Sequence, residues 1–144
     1  MIGLLQRITD ARVDVKGETI GAVGRGLLVL VGIQHGDNEP SADRLLERLL
    51  GYRVFPDDDG KMNLNLRDIG GGLLLVPQFT LTADTRKGTS FSGAAAPDFS
   101  RELFAYLLRQ AQASHPQVGA GRFGADMAVT LTNDGPVTFW LEVR

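Results

Sequence analysis

Few residues in this chain have the type and spacing to do chemistry, and those that do are mostly uncharged. There are no cysteines, so disulfides, thiolate metal sites and a cysteine nucleophile are all excluded. The two histidines, His35 and His115, stand at a strand end and a helix end, without the spacing of a metal pair or of a base serving a serine. They read as surface residues. Asp57-Asp58-Asp59-Gly60 has its glycine misplaced for a calcium loop and Lys61 in a ligand position, so it reads as a turn. Gly70-Gly71-Gly72 lacks the lysine and following helix of a phosphate loop. No metal site and no cofactor are expected. What remains is polar and neutral. Gln78 and Thr80 lie two apart in an apolar stretch, so both side chains would leave one face of a strand while Phe79 leaves the other. Polar groups there need partners, which a half-exposed edge or a substrate would supply. Catalysis without a side-chain base would depend on backbone dipoles, hydroxyls or the substrate's own groups.

The elements that must position these residues are legible from periodicity. Residues 2–15 read as a long strand whose apolar phase changes partway, which predicts a bulge. Gly17 turns the chain into Thr19–Val23, and Gly24-Arg25-Gly26 turns it again into the buried strand Leu27–Ile33, as a meander. Ser41 has the chemistry of an N-cap for a helix with the stripe Ala42, Leu45, Leu46, Leu49 and Leu50, which Gly51 ends. A third apolar strand is expected over Leu73–Leu81. The polar, glycine-rich stretch Thr82–Ala96 is long enough to suggest function. Pro97 opens a second helix with the stripe Phe99, Leu103, Leu107, Leu108 and Ala111. Two closing strands, 127–132 and 137–143, are separated by Asn133-Asp134-Gly135-Pro136, which is good turn chemistry. The expected fold is α/β: residues 1–144 as a single mixed-sheet domain of mostly antiparallel strands with two main helices.

Composition narrows the partners. The hydrophobic share of 43% is that of a folded globular chain rather than a disordered one. No apolar run has the length of a membrane span, and Met1-Ile2-Gly3-Leu4-Leu5 lacks the basic start of a secretory signal, so a cytoplasmic location and no membrane partner are expected. The net charge of −2 argues against a protein that grips many phosphates at once. Any nucleic acid would be held locally.

Two segments carry a resemblance. Val76-Pro77-Gln78-Phe79-Thr80-Leu81 with Ala83-Asp84-Thr85-Arg86, and Asn133-Asp134-Gly135-Pro136-Val137-Thr138, resemble the two signatures of the D-aminoacyl-tRNA deacylases. Fragments in the same order run nearly end to end: Gln6-Arg7, Gly51-Tyr52-Arg53, Gly60-Lys61-Met62-Asn63, Ser90-Phe91-Ser92 and Gly121-Arg122-Phe123. The resemblance implies the deacylase fold as a homodimer. It implies hydrolysis of the ester between a D-amino acid and the 3′-terminal adenosine of tRNA, with Gln78, Phe79 and Thr80 as the catalytic segment and backbone N–H groups around Phe79 and Thr80 receiving the oxyanion. The ribose 2′-OH would help activate water. Gly135-Pro136 would be a cis pair, entering the partner subunit's site and crowding the position of an L side chain. A thousandfold preference requires only about 4 kcal/mol, within reach of one rigid clash. Glycine has no side chain to exclude, so glycyl-tRNA would be hydrolysed as well. Phe123 would stack on the terminal adenine, although it would serve equally as core. Arg86 and Lys87 would be available to acceptor phosphates.

The chain departs from that pattern at two places. Pro77 stands where the family usually has serine, which removes a hydroxyl and a backbone N–H and fits only an edge or bulge. The 87–91 loop is shorter than usual. Two alternatives stay open: a dimeric aminoacyl-tRNA-binding module that has lost catalysis, and an editing domain acting on a mischarged L-amino acid.

Overall fold

The computed structural model describes residues Met1–Arg144. Its organising element is the long strand β1, Ile2–Val15. Lys16 and Gly17 both adopt positive φ (51° and 78°), the geometry of a tight hairpin turn, and return the chain as β2, Glu18–Val23. The next strand, β3 (Gly26–Gly32), continues along β1: Ala11 faces Val23 and Ile8 faces Gly26 in one running register. Instead of a meander, β2 and β3 line β1 one after the other. The predicted change of phase in β1 is real. Its register against β8 shifts around Ile8, and Leu5 and Ile8, three apart, are both fully buried.

Helix α1, Glu39–Gly51, follows. Its cap is Asn38 rather than Ser41; Ser41 is the third helical residue and closes a reciprocal capping box with Asn38. The predicted stripe from Ala42 to Leu50 is buried throughout. A small hairpin of β4 (Phe55–Pro56) and β5 (Met62–Leu64) is turned by Asp57, whose carboxylate accepts from the N–H groups of Asp59 and Lys61, as its sequence predicts. A one-turn helix α2, Leu66–Ile69, leads to β6, Gly72–Pro77. β6 runs parallel to β3, and after helix α3, Pro97–Ser114, the short strand β7, Val118–Ala120, runs parallel to β6. The last strand β8, Ala128–Glu142, lies antiparallel on β1.

The result is one α/β domain with a mixed sheet, ordered β2-β1-β3-β6-β7 with β8 on β1. The sheet curls until β2 meets β7, where a side chain on Gly21 would come within 2.6 Å of the Ala120 carbonyl. α1 and α3 cover one face through Leu45, Leu49, Leu103 and Leu107, packed on Leu5, Val29 and Leu75. A second cluster, Ile8, Ala11, Val13, Leu28, Leu74 and Val76, fills the other face.

Four further sequence expectations need correction. The third apolar strand ends at Pro77 and gives way to a 3-10 turn, Phe79–Thr82. The closing segment is one strand, not two. Phe99 is exposed, and Phe104 takes its place in the buried stripe of α3. His115 is buried rather than exposed, with Nε2 2.6 Å from the Gly71 carbonyl oxygen.

Candidate active site

β6 delivers the first candidate segment. Gln78 N–H donates to the Val31 carbonyl at 2.8 Å, the last rung between this chain segment and β3. The chain then tightens: Leu81 N–H donates to Gln78 O at 3.3 Å and Ala83 N–H to Thr80 O at 3.1 Å. Phe79 and Thr80 open the 3-10 turn, where N–H groups have no partner inside the helix. Gln78 and Thr80 do meet, with Gln78 Nε2 donating to Thr80 Oγ1 at 2.9 Å, but through the curl of the turn rather than strand alternation. An amide donor cannot take a proton from that hydroxyl, so the contact orients Thr80 without activating it.

Pro77 is accommodated by direction. Because Gln78 N–H faces β3, the preceding nitrogen faces the opposite side, beyond Ala120, the last residue of β7 paired to β6. Pairing with β7 ends there: Gly121 N–H still donates to Leu75 O, and the next rung in that register would need the N–H that proline lacks. The neighbour on that side is Gly121, whose ideal Cβ position is 3.4 Å from Pro77 Cδ.

Phe79 is 59% exposed, and its ring lies 5.0 Å from that of Phe91 at 57°. Phe91 directly follows the loop that Asp84 and Ser90 close with two reciprocal backbone bonds, 2.7 and 2.9 Å. At its closing end, Ser90 Oγ donates to Ser92 Oγ at 3.2 Å. Arg86 donates to the Asp84 carboxylate from its backbone N, Nε and NH2. These bonds, the guanidinium first, hold the Asp84 pKa below its ordinary value, and the carboxylate in turn raises that of Arg86. Arg86 is therefore already paired; Lys87, beside it in the same hollow, carries no ion pair.

Phe123 sits on the loop after β7, which starts with Gly121 N–H donating to Leu75 O at 2.8 Å and so flanks the end of β6. Half-buried, it packs on the main core, with the Arg101 guanidinium 5.3 Å from its ring centre. One part of the ring belongs to the core and another remains accessible.

Gly135 and Pro136 lie elsewhere. β8 pairs Asn133 with Ile8 and Thr138 with Gln6, so Asp134–Val137 bulge out opposite Arg7 alone. Asn133 ties the base of the bulge: its Oδ1 accepts from Val137 N–H at 3.0 Å and its Nδ2 donates to Thr138 Oγ1 at 2.8 Å. Arg7, with a side chain only 12% exposed, donates from Nε to the Asp134 carbonyl at 3.0 Å and from NH1 to the Val54 carbonyl at 2.7 Å. The Gly135-Pro136 bond is cis, and Gly135 has φ +131°. A Cβ at Gly135 would stand 2.7 Å from Val137 Cγ2 and 3.0 Å from Arg7 NH2.

The chain thus gathers Gln78, Phe79, Thr80, Phe91 and the Phe123 loop at the ends of β6 and β7. It does not gather Gly135 and Pro136 with them. β8 lies on β1, whereas β6 is two strands from β1 through β3, and no hydrogen bond joins the bulge to the 3-10 turn. Both Gly135 and Pro136 are exposed. Arg7 and Asn133 are the residues sequence reasoning left without a role. Their signal was an arginine inside an apolar strand, opposite the segment read as a turn.

The 3-10 turn thus offers main-chain N–H groups and hydroxyls at the exposed end of β6 in the mixed sheet. The D-Tyr-tRNA(Tyr) deacylase family model matches residues 4–142, and the chain belongs to that family of hydrolases acting on aminoacyl-tRNA. It is 64% identical over 146 residues to the D-aminoacyl-tRNA deacylase of Alkalilimnicola ehrlichii, covering 100% of this chain and 97% of that one. It is 61% identical over 145 residues to that of Pseudomonas putida strain F1, covering 99% and 100%. Among solved structures, the c-Myc DNA unwinding element binding protein superimposes with a TM-score of 0.95 at 36% identity, covering 100% of this chain and 99% of that one. A probable eukaryotic D-amino acid tRNA deacylase gives 0.84 at 16% identity, covering 99% and 98%, which speaks for the fold alone.

Proposed function

We propose that this chain clears D-amino acids from tRNA by hydrolysing the ester at the 3′-terminal adenosine, and that it works as a homodimer. Water attacks the ester carbonyl carbon, the bond to the ribose 3′-oxygen breaks, and the water proton passes to that oxygen. The N–H groups of Phe79 and Thr80 receive the oxyanion. The ribose 2′-OH helps to activate water, which accords with a Thr80 hydroxyl whose partner is the Gln78 amide rather than a base. Gln78 orients Thr80, and Phe123 offers its accessible part to the terminal adenine.

The observation that carries the reading is the separation within one chain. The 3-10 turn stands open, while Gly135 and Pro136 project from a braced bulge on a different strand. A second copy, donating its bulge to the open site of the first, supplies the wall that a single protomer lacks. That wall is main chain, so it excludes an L side chain by shape and leaves glycine unhindered.

The test is deacylation of D-tyrosyl-, L-tyrosyl- and glycyl-tRNA by the purified protein, with its mass in solution measured by sedimentation. Fast loss of the D ester and of the glycyl ester, with the L ester spared by about a thousandfold (about 4 kcal/mol), is expected from a dimer. Equal rates on the two tyrosyl esters would remove chiral exclusion. A catalytically competent monomer would remove the donated wedge.

A further inference from the structure

Thr82, the last residue of the 3-10 turn, is its one buried residue, at 8% exposure. Its Oγ1 donates to the Phe79 carbonyl oxygen at 2.7 Å. Its methyl group is seated on β3, where an ideal Cβ on Gly32 would meet Thr82 Cγ2 at 3.2 Å and Leu81 Cβ at 3.0 Å. The threonine therefore grips the turn from its inner side and is itself held in place by the sheet.

The consequence follows from the geometry of the peptide unit. The Phe79 carbonyl and the Thr80 N–H belong to one planar trans unit and point in opposite directions. A hydroxyl that captures the carbonyl on the buried side turns the N–H toward the open side, where Phe79 and Thr80 are exposed. If that plane rotated, a carbonyl oxygen would face the ester in place of a donor, and the negative end of its dipole would oppose the charge that develops there.

We propose that Thr82 is a positioning residue for deacylation: its hydroxyl latches the Phe79–Thr80 peptide so that Thr80 N–H faces the substrate ester. This rests on the oxyanion reading above. The role needs a hydroxyl at this position and not merely a side chain of threonine's volume, which separates it from packing.

The experiment compares Thr82→Val, nearly the same shape without the donor, with Thr82→Ser, which keeps the donor and loses the methyl. Rates are read on D-tyrosyl-tRNA across substrate concentration, with thermal melts alongside. T82V is expected to lower kcat by about tenfold, below the effect of deleting an oxyanion donor outright, and to leave KM within about twofold. T82S is expected to restore kcat to near the wild-type value. Wild-type kcat in T82V, an effect confined to KM, or T82S as slow as T82V would each overturn the proposal. Should T82V fail to fold, Thr82→Ser against Thr82→Ala makes the same comparison, since both lack the methyl and differ only in the hydroxyl; equal kcat values would then overturn it. Absence of deacylation by the wild-type protein is a separate failure, that of the proposed function itself.

Discussion

The 3-10 turn at Phe79–Thr82 and the bulge at Asp134–Val137 are both departures from a strand, yet they are built in opposite ways. The turn is local. Its bonds run from Gln78 to Thr80, Leu81 to Gln78, Thr82 to Phe79 and Ala83 to Thr80, with β3 as its hydrogen-bonded support from outside. The bulge has a local tie at Asn133, but its brace is remote: Arg7 reaches it from β1 and fastens it to Val54 on the far side. A turn made of short-range bonds can keep main-chain donors in place on an exposed surface. A protruding segment that must stay rigid away from its own core needs an anchor that the core holds. The first construction suits a site that receives charge, the second a wall that must not yield.

The largest effect is expected from Gly135→Ala. The added methyl would stand 2.7 Å from Val137 Cγ2 and 3.0 Å from Arg7 NH2, at a φ of +131° that alanine does not adopt. Strain of about 1–3 kcal/mol is expected to displace the bulge, and the preference for D- over L-tyrosyl-tRNA should fall about a hundredfold. Unchanged selectivity in a folded G135A protein would show that the bulge stands outside the site.

Arg7→Ala should come next. It leaves the Asp134 and Val54 carbonyls without their partner and empties a largely buried position, so a stability loss of about 2–3 kcal/mol is expected by urea unfolding. Selectivity between D- and L-tyrosyl esters should loosen more than turnover of the D ester does, because the turn is held separately. Loss of turnover with selectivity intact would reverse the roles assigned to the two regions.

How far these regions could be read from sequence follows from how each is stabilised. The helical stripe of α1 and the change of phase in β1 were legible because periodicity records burial directly. The end of β6 was not: Leu73–Leu81 is apolar enough to continue as strand, and only the bond from Gln78 N–H to Val31, with the curl that follows, shows where pairing stops. Asn133-Asp134-Gly135-Pro136 has the residues of a turn, and local chemistry alone cannot distinguish a turn from a bulge. The difference lies in β1, which continues to pair with β8 on both sides of the bulge. Ser41 and Asn38 share a capping box, so choosing the wrong one is an error of three residues rather than of kind. His115 was misplaced because its partner, the Gly71 carbonyl, is 44 residues away. Gln78, Phe79 and Thr80 were chosen together and stand together. That Gly135 and Pro136 stand apart from them is a property of strand order, which no local motif contains.

Pro77→Ser, at the entry to the turn, should have a smaller effect. The proline nitrogen faces Gly121 just past the paired end of β7, so restoring an N–H there adds at most one rung at the end of the sheet. A stability change within about 0.5 kcal/mol is expected by urea unfolding, with D-tyrosyl-tRNA still hydrolysed. A large gain in turnover would show that the hydroxyl absent from this chain matters to the reaction and that the turn is incomplete without it.

The smallest effect should come from Asp84, at the rim of the loop beside the turn. The Arg86 guanidinium and backbone N–H hold its carboxylate below the ordinary 3.8. With the folded value the lower one, whatever the pair contributes is present above the unfolded value and is lost only as pH falls through the folded one. Between about pH 6 and 8 the carboxylate stays charged, so it should impart no slope to the deacylation profile. The pair is exposed and screened by water, and the reciprocal backbone bonds between Asp84 and Ser90 hold the loop closed independently of the side chain. Asp84→Asn should therefore leave the urea midpoint unmoved and free Arg86. A lower KM for tRNA at low salt, disappearing at high salt, would show the released guanidinium meeting a phosphate; an unchanged KM at both would place this loop outside the tRNA contact.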